Sequence, residues 1–179
     1  MGSSNLWDRI CTEENFYEAW NKVRANLGAP GLDRVSITDF ELNLDQNIGL
    51  LLNTVRSGTY QPLAYLSFKM KKESGKFREL KIPAVRDRVV MEAMLLQLTP
   101  IYERIFLDCS YAYRPKKSAL KAADRVERNI KKGREWVVDA DIENFFDNVN
   151  RSLLMEMLAK EISEKQVLSL IERCIQADN

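Results

Sequence analysis

The apolar positions of the chain open on a helical period: Phe16, Ala19, Trp20, Val23 and Leu27 recur three to four residues apart behind Thr12, Glu13 and Glu14. A threonine can accept from a free backbone N–H and acidic residues suit the positive end of a helix, so a helix start is predicted at Thr12 and a stop at Gly28. Past the turn-rich GAPGLD, Phe40, Leu44, Ile48, Leu51, Leu52 and Val55 keep the same period. A second helix is predicted there, from about Thr38 to a stop at Gly58.

Tyr65 to Met70 and Phe77 to Ile82 mix apolar and basic residues around KKESGK, the pattern of a hairpin with Gly75 in its loop. Val85 to Leu98 is strongly apolar and predicts a helix, with Thr99 and Pro100 as cap and first residue of a further short one. Ser118 is predicted to cap a helix that turns Ala119, Ala122, Ala123, Val126 and Ile130 inward and stops at Gly133. WVVDAD, residues 136–141, reads as a strand with Val137, Asp139 and Asp141 sharing one face. Leu153, Leu154, Met157 and Leu158 predict an inward helical face, and Ser163 with Gln166 a capping box before a last helix. Helices, then a hairpin, then a strand argue for the α+β class.

The chain has 179 residues, 45% of them hydrophobic and 30% charged, as in a globular domain with a sizeable core. No apolar run approaches the roughly 20 residues that cross a bilayer, and MGSSNLWDRI lacks the layout of a signal peptide, so a cytoplasmic protein without membrane partners is expected. Cys11, Cys109 and Cys174 are odd in number and far apart, and are expected to be buried small hydrophobes. Histidine is absent, which excludes imidazole-based nucleophile systems and histidine zinc sites.

Charge sharpens this picture, because the formal net charge of +1 hides a segregation. Residues 69–88 carry 8 basic and 3 acidic side chains, residues 114–134 carry 9 and 2, and residues 135–179 carry 4 and 10. A basic middle followed by an acidic end suggests a phosphate-binding surface beside a metal-binding one. A solvated charged face is the plainer alternative.

Two segments concentrate the chemistry. DIENFFDNV, residues 141–149, follows the predicted strand, and an aspartate at a strand end is either a turn or cap residue or one compensated by a divalent cation. SFKMKKESGKFRELKIP, residues 67–83, surrounds a glycine turn with Lys71, Lys72, Lys76 and Arg78. Arginine forks and lysine point charges could wrap a polyphosphate there, or simply solvate a hairpin tip. No GxxxxGK[ST] loop occurs.

Together with NKVRANLGAPGLDRVSI, SGTYQPL, GKFRELKIPAVRDRVV, LTPIYERIF and SYAYRPKKSALKAADRV, the segment WVVDADIENFFDNV resembles the blocks, in order and spacing, of bacterial reverse transcriptases encoded by group II introns. The resemblance implies reverse transcriptase fingers with an incomplete palm: a helical N-terminal extension over 1–60, fingers over 61–134 and the start of the palm over 135–179. It implies a parent RNA-directed DNA polymerase, a nucleotidyltransferase that adds dNMP from dNTP to a DNA or RNA primer on an RNA template. By the same resemblance, Asp141 is the first catalytic aspartate and binds two Mg²⁺, with the backbone carbonyl of Ile142 as a further ligand. Phe146 matches the steric gate, Phe145 its neighbour in the nucleotide pocket, Arg78 the triphosphate-gripping arginine, and Lys71 or Lys72 the accompanying lysine. Tyr111, Arg114, Lys116 and Lys117 are implied to hold template and nucleotide; Lys121 and Arg125, in the basic run that follows, are assigned to RNA as well. Gly28, Pro30 and Gly31 are implied to build the turn of the N-terminal extension, and Asp147 is read as a cap.

No YADD-like sequence that would complete a two-metal site occurs, so this chain alone is expected not to polymerise. It is also expected to self-associate. The rival readings are a non-catalytic RNA-binding or splicing-assistance module working on intron RNA, and another palm-fold enzyme such as a nucleotide cyclase.

Overall fold

The computed structural model describes residues 5–71, 75, 77–142, 145 and 148–177, with Arg78 described through its backbone alone. Eight helices and one hairpin are formed by these residues, a mixed α and β architecture. Two compact units result, Met1–Leu98 with Arg151–Asn179, and Thr99–Asn150.

In the first unit, α1 (Leu6–Ile10) is a short element capped by Asn5, whose side chain accepts from the Asp8 N–H. The helix expected behind Thr12 is α2 (Glu13–Ala25), where the Thr12 hydroxyl accepts from the Asn15 N–H. Its end differs from expectation: Asn26 is the C-cap, and the left-handed residue is Leu27, at φ 46°, rather than Gly28. The second predicted helix is two helices. Ser36 and Asp39 form a reciprocal capping box that starts α3 (Ile37–Leu42), and the chain breaks at Asn43 before α4 (Leu44–Arg56). Thr38 has an equivalent carboxylate three residues on, Glu41, but that carboxylate pairs with Arg24 at 3.0 Å, whereas the Asp39 carboxylate turns back to the Ser36 N–H and the box forms at Ser36.

Alternation places Leu66, Phe68 and Met70 of β1 (Leu66–Lys71) on one face of an antiparallel pair with β2 (Phe77–Ile82), in register from Leu66 opposite Ile82 to Lys71 opposite Phe77. The helix α5 (Val85–Tyr102) does not break at Thr99 and Pro100; it runs through both. Proline lacks one N–H, and two residues from the helix end that loss costs a single hydrogen bond rather than the helix.

The core of this unit is built from Phe16, Trp20, Ile48, Leu52, Tyr60, Val85, Val89, Ile162 and Leu170. Trp20 and Phe40 stack at 5.0 Å between centroids. Buried Asn15 is satisfied by donating to the Ile10 and Ala93 carbonyls and accepting from Gln97. Gly31 closes the packing: a Cβ there would lie 2.5 Å from Ala84 Cα, so only glycine lets the two backbones touch. Gly28 serves a different neighbour, since a Cβ there would meet the Arg88 guanidinium, which donates to the Ala29 carbonyl at 2.6 Å.

The last two helices, α7 (Arg151–Leu158) and α8 (Lys165–Gln176), correct two further expectations. α7 buries none of its described residues, and Leu153 and Met157 of its expected inward face are exposed. The Ser163 capping box is absent, because Glu164 is the N-cap and its carboxylate accepts from the Leu6 N–H at 2.8 Å, tying α8 to α1. Among the described residues, no helix is long and apolar enough to cross a membrane.

Two of the cysteines, Cys11 and Cys174, are buried, and burial pushes their thiols up to about 11 and about 12. Cys109 corrects the third assignment, for it is exposed.

Candidate nucleic-acid interface

The second unit begins in the last turn of α5 and carries α6 (Ala119–Lys131). Ser118 caps α6 by accepting from the Lys121 N–H, as its sequence predicts, and Gly133 follows its end at φ 82°. The apolar stripe expected to turn inward is not buried here: none of the α6 residues is buried, and Val126 and Ile130 of that stripe are more than half exposed. The segment expected as a strand is unpaired, with Trp136 97% and Val138 93% exposed. A strand exists through its ladder, and the sheet of the described residues has two members, β1 and β2.

Six residues singled out in the sequence are brought together in this unit: Tyr111, Arg114, Lys116, Lys117, Lys121 and Arg125. Tyr111, Lys116, Lys117, Lys121 and Arg128 share an open cavity of about 630 Å³ with Asp124 and Glu127. The cations are organised by carbonyls of the preceding loop. Lys117 Nζ donates to the Asp108 carbonyl at 3.0 Å and sits 4.9 Å from the centre of the Tyr111 ring. Arg125 Nη1 reaches the same carbonyl at 3.2 Å and the Tyr111 hydroxyl at 3.5 Å. Lys121 Nζ donates to the Lys116 carbonyl at 2.8 Å. Among the described residues the Lys116 ammonium has no partner, and it projects from a backbone at φ 61°.

Arg114 stands apart from its neighbours. Its side chain is 6% exposed and makes a two-pronged pair with Glu103, with both N–O distances at 3.0 Å. That pair holds the Glu103 carboxyl below the usual carboxylate range. Glu103, which pairs with Arg114, and Asp108, whose carbonyl meets Lys117 and Arg125, are not among the residues the sequence points to; an acidic residue inside LTPIYERIF carries no local signal of the arginine it will meet eleven positions later.

Of the residues expected from the resemblance to serve the nucleotide, Lys71 ends β1 and is exposed, Arg78 pairs with Met70 by its backbone, and Phe145 is exposed in a turn. Lys72, Lys76, Phe146 and Asp147 lie outside the described residues. Asp141 and Ile142 are exposed in the unpaired segment. Among the described residues no three His, Cys, Asp or Glu side chains gather as a metal site would require. These residues alone do not fit a divalent-cation centre, since a single carboxylate fills few of the six or more oxygen positions that Mg²⁺ or Ca²⁺ takes.

Residues 70–179, more than half of the chain, match the family model described as reverse transcriptase (RNA-dependent DNA polymerase), and the chain belongs to that family. Protein YkfC of Escherichia coli K12 is 36% identical over 177 residues, covering 94% of this chain and 46% of that protein. The group II intron-encoded protein LtrA of Lactococcus lactis subsp. cremoris is 27% identical over 175 residues, covering 97% of this chain and 29% of LtrA. Nuclear intron maturase 2, mitochondrial, of Arabidopsis thaliana is 27% identical over 187 residues, covering 97% and 25%. Within the reverse transcriptase family, the chain is therefore of the group II intron and maturase type. It spans less than half the length of these relatives.

Proposed function

We propose that this chain is the RNA-holding and nucleotide-entry part of an RNA-directed DNA polymerase acting in the cytoplasm on an RNA template, a DNA or RNA primer and dNTPs. The observation that carries the reading is the gathering of Lys116, Lys117, Lys121, Arg125 and Tyr111 on one face, where the hydrogen bonds that hold Lys117, Lys121 and Arg125 go to carbonyls and the one carboxylate in reach, Asp108, stands 4.0 Å from Lys117 Nζ. Such donors remain attractive to phosphate, whereas paired ones are already neutralised.

In this reading residues 1–60 are the N-terminal extension, 61–134 the fingers and 135–179 the start of the palm. Lys71 or Lys72 and Arg78 of the hairpin serve the dNTP triphosphate, and Phe145 and Phe146 its sugar. Asp141 and the Ile142 carbonyl are hard oxygen donors of the kind Mg²⁺ takes. Two Mg²⁺ ions supply charge stabilisation to phosphoryl transfer when bound, and one carboxylate does not hold both. The chain by itself is accordingly assigned no polymerase activity, and its open apolar residues, Trp136, Val138, Leu153 and Met157, are assigned to self-association.

A second reading, an RNA-binding splicing-assistance module for intron RNA, is favoured by the relatives named intron maturases. Primer extension on an RNA template separates the two. The polymerase reading expects no extension by this 179-residue chain and extension by the protein of its relatives' length, abolished by Asp141→Ala. A longer protein that binds intron RNA without extending a primer supports the module instead. Extension by this chain alone overturns the incomplete site. For self-association, light scattering that finds a monodisperse monomer of 20.7 kDa at high concentration overturns that assignment.

A further inference from the structure

The loop that leads into the basic face holds an ion pair between a covered arginine, Arg114, and a part-exposed carboxylate, Glu103, and the inference drawn from it rests on the RNA-binding reading above. Arg114 Nε and Nη2 donate to the two carboxylate oxygens of Glu103, each at 3.0 Å, while Nη1 donates to the Leu107 carbonyl at 2.6 Å and the Ser110 carbonyl at 3.0 Å. The guanidinium carbon also lies 5.2 Å from the centre of the Phe106 ring. Four of the five N–H donors an arginine owns are thus spent inside the loop. A guanidinium engaged in this way has no fork left for a phosphate.

We propose that Glu103 and Arg114 are positioning residues for RNA, acting through the cations around them. Their pair closes the chain from α5 to α6 on itself, which presents the Asp108 carbonyl to both Lys117 and Arg125. It also holds the stretch in which Tyr113 and Lys116 take left-handed backbones, at φ 56° and 61°, conformations a non-glycine residue keeps only when its surroundings enforce them. Lys117, Lys121 and Arg125 are therefore delivered to the face already ordered, with the Lys116 backbone fixed beside them, so that less ordering opposes binding.

The experiment exploits a sign. Glu103→Gln removes a negative charge from a basic unit, so charge alone makes RNA bind more tightly. Positioning makes it bind more weakly, by about two- to tenfold, the scale of re-ordering one or two long side chains. The measurement is the Kd of the full chain for a fluorescein-labelled single-stranded RNA at fixed salt, with amide hydrogen exchange over residues 107–117 read in parallel. Weaker binding with faster exchange in that stretch, and unchanged exchange in α2 and α4, is the expected result. Arg114→Lys, which keeps the charge and loses the fork, is expected to weaken binding alike. Binding by Glu103→Gln that equals or exceeds the parent's, or Arg114→Lys that binds as the parent does, overturns the proposal while leaving RNA binding in place. A parent chain that does not bind the RNA overturns the functional reading itself.

Discussion

Asp87→Asn is expected to destabilise the first unit more than most surface or core substitutions of equal size. Asp87 is fully buried at the start of α5, and its Oδ1 accepts from the Tyr60 hydroxyl at 2.6 Å and from Arg86 Nε at 3.2 Å, while Oδ2 accepts from the Leu63 N–H at 2.9 Å. Asparagine keeps the shape and one acceptor. Its NH₂ must then face either the Leu63 N–H or Arg86 Nε, which can only donate, even if the Tyr60 hydroxyl turns to accept, so a donor is left opposite another donor. Loss of a charge-assisted hydrogen bond costs about 1.5–3 kcal/mol and an unsatisfied buried donor about 1–3 kcal/mol, which together predict a loss of about 3–5 kcal/mol. Tyr60→Phe removes a single donor and leaves the carboxylate two partners, so about 1.5–3 kcal/mol is expected. Urea unfolding followed by tryptophan fluorescence reads both, since Trp20 is buried in the same unit. The linked segment is also tied to α8, where Arg173 Nη1 donates to the Gly58 and Tyr60 carbonyls at 2.7 and 2.8 Å. If Asp87→Asn stays within about 1 kcal/mol of the parent, the carboxylate is not the organiser of residues 58–63 and the reasoning fails.

Two glycines should respond with opposite signs: Gly31→Ala meets the Ala84 backbone at 2.5 Å and is expected to cost about 1–3 kcal/mol, while Gly49→Ala meets nothing within 4 Å inside α4 and is expected to gain about 0.5–1 kcal/mol by thermal or urea unfolding. Thiol titration of the native chain should show one fast cysteine, Cys109, with Cys11 and Cys174 reacting after unfolding, because burial shields those two and raises their thiols; two or three fast thiols would contradict the packing of α1 and α8. The Leu6 N–H holds the Glu164 carboxyl below its usual range, so the stability it supplies is complete above the ordinary glutamate value near 4.3 and lost as pH falls through the folded value. Comparing unfolding free energies at pH 7 and in acid, Glu164→Gln should lose less stability on acidification than the parent does.

What could be read from the sequence was whatever one segment decides within itself. Thr12 and Ser118 cap the helices they were expected to cap, and the hairpin around Gly75 forms with the expected second strand, because cap, period and turn chemistry are local. The failures are of another kind. Ser163 lost its capping box to a contact between Glu164 and Leu6, 158 residues away, which no window of sequence contains. WVVDAD alternates as a strand does, yet alternation does not supply the neighbour that a strand must pair with. The basic residues of SYAYRPKKSALKAADRV were visible as charge, but their division was not. Arg114 is inward and engaged by Glu103 and two loop carbonyls, while Lys116 is outward and unpartnered among the described residues, and both read alike as letters.

The central claim, that the face bearing Lys116, Lys117, Lys121 and Arg125 holds RNA through its phosphates, is tested most directly by the salt dependence of RNA affinity. Each phosphate contact on a single strand contributes about 0.7 to the slope of log Kobs against log salt concentration. Neutralising the four side chains together, as alanines, should weaken binding and flatten that slope by about 2 to 3. A four-fold variant that still folds and shows the parent's slope would place the RNA elsewhere on the molecule and contradict the account.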